Sequence, residues 1–101
     1  MSSCIWIHYT RPRPHWYELD AREQADRKAQ WRLVAQDSQA RGAVPLGRYH
    51  VRGQHDYETV EIWRFANAEA AFDHWAGLTA KAYGEFFAFS NNVGLEEEVS
   101  P

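Results

Sequence analysis

The chain has 101 residues, of which 45% are apolar and 25% charged; this suits one globular unit with a single core and excludes both global disorder and a second domain. A net charge of −3 with scattered cations excludes the basic stripe of a nucleic-acid-binding surface, and no apolar run is long enough to span a membrane. Five Trp, five Tyr and five Phe exceed what a minimal core needs, and such side chains concentrate in cores, interfaces and ligand pockets.

The start, MSSCIWIHYTRPRP, lacks the basic opening and long apolar run of a signal peptide. Cys4 is the sole cysteine, so no internal disulfide forms. A cytoplasmic protein is expected. Residues 4–10 (CIWIHYT) alternate as a strand, with Ile5, Ile7 and Tyr9 on one face and Cys4, Trp6 and His8 on the other. RPRP at 11–14 ends it, because proline lacks a ladder N–H and restricts the residue before it. From His15 or Asp20 to Arg41 the composition turns helical. Ala21, Ala25, Ala29 and Leu33 make an i,i+4 row, with Trp31, Val34 and Ala35 on a neighbouring strip. Gly42 supplies the left-handed residue that stops a helix.

Residues 44–52 (VPLGRYHVR) read as the second strand and 53–56 (GQHD) as a turn into 57–65 (YETVEIWRF), the best strand in the chain. On it Val60 and Ile62 point one way, and Tyr57, Thr59, Glu61, Trp63 and Phe65 the other. A four-residue turn sets Arg48 opposite Glu61, His50 opposite Thr59 and Tyr49 opposite Val60; the cross-strand charge pair supports this register by a few tenths to ~1 kcal/mol. Asn67 is a good N-cap for a second helix reaching about Tyr83. Its apolar face is expected to hold Ala68, Ala71, Phe72, Trp75, Thr79, Ala82 and Tyr83, with Asp73, Gly77 and Lys81 away from it and His74 on the solvent side. Gly84 is the expected stop. Residues 85–90 (EFFAFS) are the fourth strand, running into Asn91-Asn92, and the acidic tail LEEEVSP is expected to fray.

The order βαββαβ, with right-handed crossovers and strand order 4-1-3-2, predicts an α+β, ferredoxin-like fold: a four-stranded antiparallel sheet with both helices on one face, over residues 1–101 as one domain. The aliphatic residues Ile5, Ile7, Val51, Val60 and Ile62 are expected to meet the helices. That leaves Trp6, His8, Arg48, His50, Glu61 and Trp63 on the open face, an aromatic patch that calls for a cover. A second copy of the sheet supplies one, so pairing into a homodimeric α+β barrel is expected.

The arrangement resembles the dimeric α+β barrel superfamily, which includes antibiotic-biosynthesis monooxygenase-like proteins and cofactor-free cyclases. More locally, Pro14-His15-Trp16-Tyr17-Glu18-Leu19 with Arg22 and Glu23 resembles the opening of the first helix in darcynin-like proteins. So do Glu61-Ile62-Trp63-Arg64-Phe65 before an Asn-Ala-Glu helix start, and the pair Phe86-Phe87. The resemblance implies the barrel architecture. The charged, Ala-rich first helix, and Arg48 and His50 on the second strand, depart from the darcynin-like pattern.

For chemistry, His8, His50 and Glu61 are the sharpest set, since a histidine beside a carboxylate is the usual way to hold a base near neutral pKa. Arg48, paired with Glu61, would steady an enolate. The same groups also read as a hydrogen-bonded network that merely fills the interior. Trp6, Trp63, Tyr57, Trp75 and Phe87, with Trp16, Tyr83 and Phe86, could line a pocket for a planar ligand, and Asn91 or Asn92 could orient a carbonyl; the aromatics equally read as core. No HExxH, Walker, GxGxxG, Ser-elbow or CxxC motif occurs, so no metal or cofactor is expected, and Cys4 reads as an inert thiol. The leading expectation is a small homodimeric enzyme acting without metal or flavin on an aromatic or polyketide-like metabolite, by proton transfer, cyclisation or oxygenation. The alternatives are a non-catalytic small-ligand-binding or structural dimer and, third, haem or metal binding through histidines such as the His8, His50 and Glu61 set.

Overall fold

The computed structural model describes residues 3–97. In chain order the elements are β1 (Cys4–Pro12), α1 (Pro14–Glu18), α2 (Ala21–Ala40), β2 (Val44–His50), β3 (Thr59–Phe65), α3 (Ala68–Ala80), α4 (Tyr83–Phe86) and β4 (Phe87–Leu95). The sheet order is β2-β3-β1-β4, antiparallel throughout. This is the expected α+β, ferredoxin-like topology, with β1 and β3 in the centre. The hairpin register also matches, with Arg48 opposite Glu61, Tyr49 opposite Val60 and His50 opposite Thr59. A bulge between Pro45 and Gly47 shifts the far end of β2 by one residue, a common fate of an edge strand carrying proline.

The first helical stretch divides in two. Leu19 and Asp20 are extended, and Asp20 starts α2 with a capping box: its carboxylate accepts from the Glu23 N–H at 2.8 Å while Glu23 accepts from the Asp20 N–H at 3.0 Å. Such a cap is worth ~1 kcal/mol. On α2 the Trp31, Val34, Ala35 and Ser38 strip faces inward, whereas Leu33 is exposed. The second helix also ends early. Ala82 takes the left-handed conformation (φ 63°) that was expected of Gly84, and α4 follows at once. A non-glycine residue there costs about 1–2 kcal/mol, and the sharp turn it makes leads directly into the buried side chains Tyr83 and Phe86. β4 therefore starts only at Phe87 and continues through Asn91 and Asn92 to Leu95. Of the acidic tail, residues 98–101 lie outside the described residues.

The faces of the sheet are the reverse of those expected. Cys4, Trp6, His8 and Thr10 are the buried residues of β1, and across from them Trp63 and Phe65 are buried on β3. These side chains, not the aliphatic ones, lie beneath the helices. On the helix-free face Ile5, Ile7, Tyr9 and Ile62 are only half-buried, while Val60 is buried. The physical reason lies in the helices. Among the larger Trp31, His74 and Leu78 they present the small residues Ala35, Ala70 and Ala71 to the core, and Gly77 brings α3 so close to α2 that an added Cβ would sit 2.9 Å from Val34 Cγ1. Small residues on the helices leave volume that only large rings on the sheet can fill to normal packing density. The inward stripe of α3 is Ala71, His74 and Leu78; Phe72 is exposed. His74 is thus a core residue and not a solvent-facing one, and Gly77 is a helix contact.

Candidate functional site

Between the covered face of the sheet and the helices lies a cavity of about 290 Å³. Trp6, His8 and Glu61 form its floor; Trp31 and Ala35 of α2, His74 and Leu78 of α3, Tyr83 of α4 and Phe87 of β4 form its walls. Lys28, Arg32 and Arg48, all exposed, stand at its mouth. The Trp31 indole N–H donates to the Lys81 carbonyl at 3.0 Å, which fixes one wall, and its ring meets Tyr83 edge-on at 4.9 Å.

A hydrogen-bonded chain runs through the floor. The His8 Nδ1–H donates to Asn91 Oδ1 at 2.5 Å, so Nε2 carries the lone pair and accepts the Tyr83 O–H at 3.1 Å. The His8 ring stacks on Trp6 at 4.5 Å and leans on Trp75 at 5.4 Å. Burial drives its pKa down to about 4, against the opposing pull of Asn91 and with a small push from Arg48. Burial, and then the Glu61 charge, raises the Tyr83 phenol above its ordinary value. Both groups are therefore neutral at pH 7, locked as donor and acceptor.

A second buried histidine sits beside the first. His74 Nδ1 bonds Ser38 Oγ at 2.7 Å, and its ring packs among Trp6, Trp63 and Phe65 at 4.8–5.5 Å. Burial again takes it to about 4, with Glu61 pulling the other way. With Nδ1 engaged, Nε2 is the atom left to meet a ligand. Glu61 is held at both oxygens: Oε1 accepts the Trp63 N–H at 2.5 Å and Oε2 accepts from Arg48 at 3.0 Å. Every buried side-chain N or O among the described residues has a partner, as a stable polar interior requires.

Of the residues singled out from the sequence, His8, Glu61, Arg48, Trp6 and Phe87 meet at this cavity. Trp63 lies beneath it and steadies Glu61, and Trp75 backs His8 without lining the space. His50 is exposed at the end of β2, apart from the cavity. Tyr57 lies by His55 and Tyr9, donating to the Phe89 carbonyl at 3.2 Å. Asn92 turns to the open face, where its amide donates to the Ile7 carbonyl at 3.3 Å, and its neighbour Asn91 reaches His8 instead. The sequence placed His74 on the solvent side and Trp31 on a helix strip, and it marked neither of them, nor Ser38, Lys28 or Arg32, as a site residue. The spacing of Ala71, His74 and Leu78, and of Trp31 and Ser38, is the helical signal that marks them.

No family model matches the sequence, and no curated protein matches it at a significant level. Among solved structures, the chain is similar to a mutant chlorite dismutase from Candidatus Nitrospira defluvii, with a TM-score of 0.81 and 10% identity over 99% of this chain and 43% of that one. It is also similar to chlorite dismutase from the same organism in complex with imidazole, with a TM-score of 0.75 and 13% identity over 96% of this chain and 41% of that one. A third is an uncharacterised NIPSNAP-like domain protein from Burkholderia xenovorans, with a TM-score of 0.51 and 13% identity over 99% of this chain and 90% of that one. The shared feature is the fold, a ferredoxin-like α+β unit. The chain spans about two fifths of the length of the chlorite dismutases it matches. Among the described residues no helix is long and apolar enough to cross a membrane.

Proposed function

We propose that the chain binds a small aromatic molecule in the cavity between sheet and helices, and that it works as a cytoplasmic homodimer joined through the open face of its sheet. The carrying observation is the cavity: about 290 Å³, walled by Trp6, Trp31, Tyr83 and Phe87, with the polar groups of His74 and Glu61 held in place. An apolar cavity of ~150 Å³ takes benzene, and ligand sites begin near ~300 Å³, so one or two fused rings suit the space. The dimer reading rests on Ile5, Ile7 and Ile62, which no helix covers, and on the resemblance to antibiotic-biosynthesis monooxygenase-like and darcynin-like proteins. A second copy would bury that face symmetrically.

Binding is favoured over catalysis because His8 is a poor base. Protonating at pH 7 a ring whose pKa is about 4 costs about 4 kcal/mol. The second reading is cofactor-free proton transfer, favoured by the Asn91, His8 and Tyr83 chain. In that case the ligand's proton passes to the Tyr83 oxygen as the phenolic proton moves to His8 Nε2, leaving an anion near Arg48.

Haem suits the residues poorly. A cavity of about 290 Å³ lined by Trp31 and Phe87 is far short of a tetrapyrrole, and both His8 nitrogens are committed.

Tyr83→Phe separates the readings, since it keeps the ring and removes the O–H. Under the binding reading, a planar aromatic ligand that quenches the Trp6 and Trp31 emission should bind the variant within tenfold of the parent, with no turnover by either. Under the proton-transfer reading, kcat should fall ~10²–10⁴-fold at nearly constant KM. A panel of planar aromatics that leaves the emission unchanged overturns both.

A further inference from the structure

Resting on the cavity-binding reading above, we infer that the site selects aromatic ligands bearing an anionic group, of the class of mono- and bicyclic aromatic carboxylates. The mouth gathers three cationic side chains, Lys28 and Arg32 from α2 and Arg48 from β2, against the single carboxylate of Glu61. In a chain of net charge −3 this is a local inversion of sign. Glu61 offsets only Arg48, which one of its oxygens binds, while the other accepts the Trp63 N–H.

Lys28 and Arg32 are the unbalanced pair. Among the described residues neither lies within ion-pair distance of a carboxylate. They stand four residues apart on α2, a like-charge spacing that weakens a helix and that an anion held between them would relieve. Lys28 Nζ lies 5.7 Å over the Trp16 ring, which packs on Trp31 at 5.6 Å, so this cation is tied to the cavity wall. Of the polar groups in the interior facing them, His8, His74 and Tyr83 contribute hydrogen bonds without charge, and the carboxylate of Glu61 is bound by Arg48 and Trp63. A ligand thus meets aromatic walls within and positive charge at the rim, an amphiphilic pattern that a planar ring with a carboxylate satisfies. Confinement beside low-dielectric walls strengthens such charge recognition over that of an open surface.

The experiment compares 2-naphthoate with its neutral isostere 2-naphthamide by isothermal titration of the full chain, at low and high salt. The expected result is naphthoate at least tenfold tighter, with the preference shrinking as salt screens the rim. The double variant Lys28→Gln with Arg32→Gln, both positions being exposed, should keep its circular dichroism and its naphthamide affinity while losing most of the preference. Equal binding of the two probes, or a preference that survives the double variant, overturns this inference and leaves the cavity-binding reading intact. Binding of neither probe overturns that reading and this inference together.

Discussion

Along β1 the two faces of the sheet diverge residue by residue. Trp6, His8 and Thr10 are buried under the helices, whereas Ile5, Ile7 and Tyr9, interleaved with them, have no helix above. The covered face takes the bulky and polar side chains because small residues of the helices above it leave room, and because its buried histidines find fixed partners, His8 in Asn91 and Tyr83 and His74 in Ser38. The open face keeps the plain aliphatic residues, which need no hydrogen bonds and can be covered by any flat apolar surface. Specific geometry is therefore concentrated on one side of the sheet and generic stickiness on the other.

The sharpest way to break this contrast is to truncate neighbours on opposite faces. Trp6→Ala should cost about 3–5 kcal/mol by leaving a cavity the surroundings cannot close, while Ile7→Ala should cost distinctly less at concentrations where the chain is monomeric. Urea unfolding of the two variants checks this, and equal losses would erase the distinction between the faces. Next in size is acidity. The folded chain keeps His8 and His74 neutral down to about pH 4, whereas the unfolded chain protonates them near 6.5. Between these values the unfolded state binds more protons, so stability falls as pH falls from about 6.5 to about 4, by on the order of 3 kcal/mol for each ring. Urea midpoints measured from pH 7.5 to pH 4.5 should drop accordingly, and His74→Gln should flatten part of the slope; a level profile in the parent would mean that the covered face does not hold its histidines neutral. The smallest effect on the fold itself is expected from Ile7→Asp. It should split the proposed homodimer in sedimentation velocity while the far-ultraviolet circular dichroism stays native, and an undisturbed dimer would move the interface away from the open face.

Much of this was readable from residue order. Pro14, Gly42 and Asn67 punctuate the chain through local dihedral and capping preferences that need no tertiary partner, whereas β1 runs on through Arg11 and Pro12, the expected stop, to pair with Ala88 and Phe87. The hairpin register followed from the turn length and the Arg48–Glu61 pair. Alternation along 4–10 and 59–65 also sorted the side chains correctly into two sets, whereas Tyr57, which precedes β3 and lies beside Tyr9, falls outside the pattern. What alternation could not supply was which set faces inward. By general burial frequencies Ile and Val outrank Trp and His, and that ranking pointed the wrong way. The decision came from α2 and α3, whose small residues left a space that the rings of Trp6, Trp63 and Phe65 had to fill. The candidate site inherited the same division. His8 and Glu61 were visible as a facing pair because they share a sheet register, whereas His74, Ser38 and Trp31 join them only through helix-to-helix and helix-to-sheet packing. Local chemistry along the chain thus determined the elements and their pairing, and the volume between layers, which no single segment encodes, decided the inward face and the cavity built upon it.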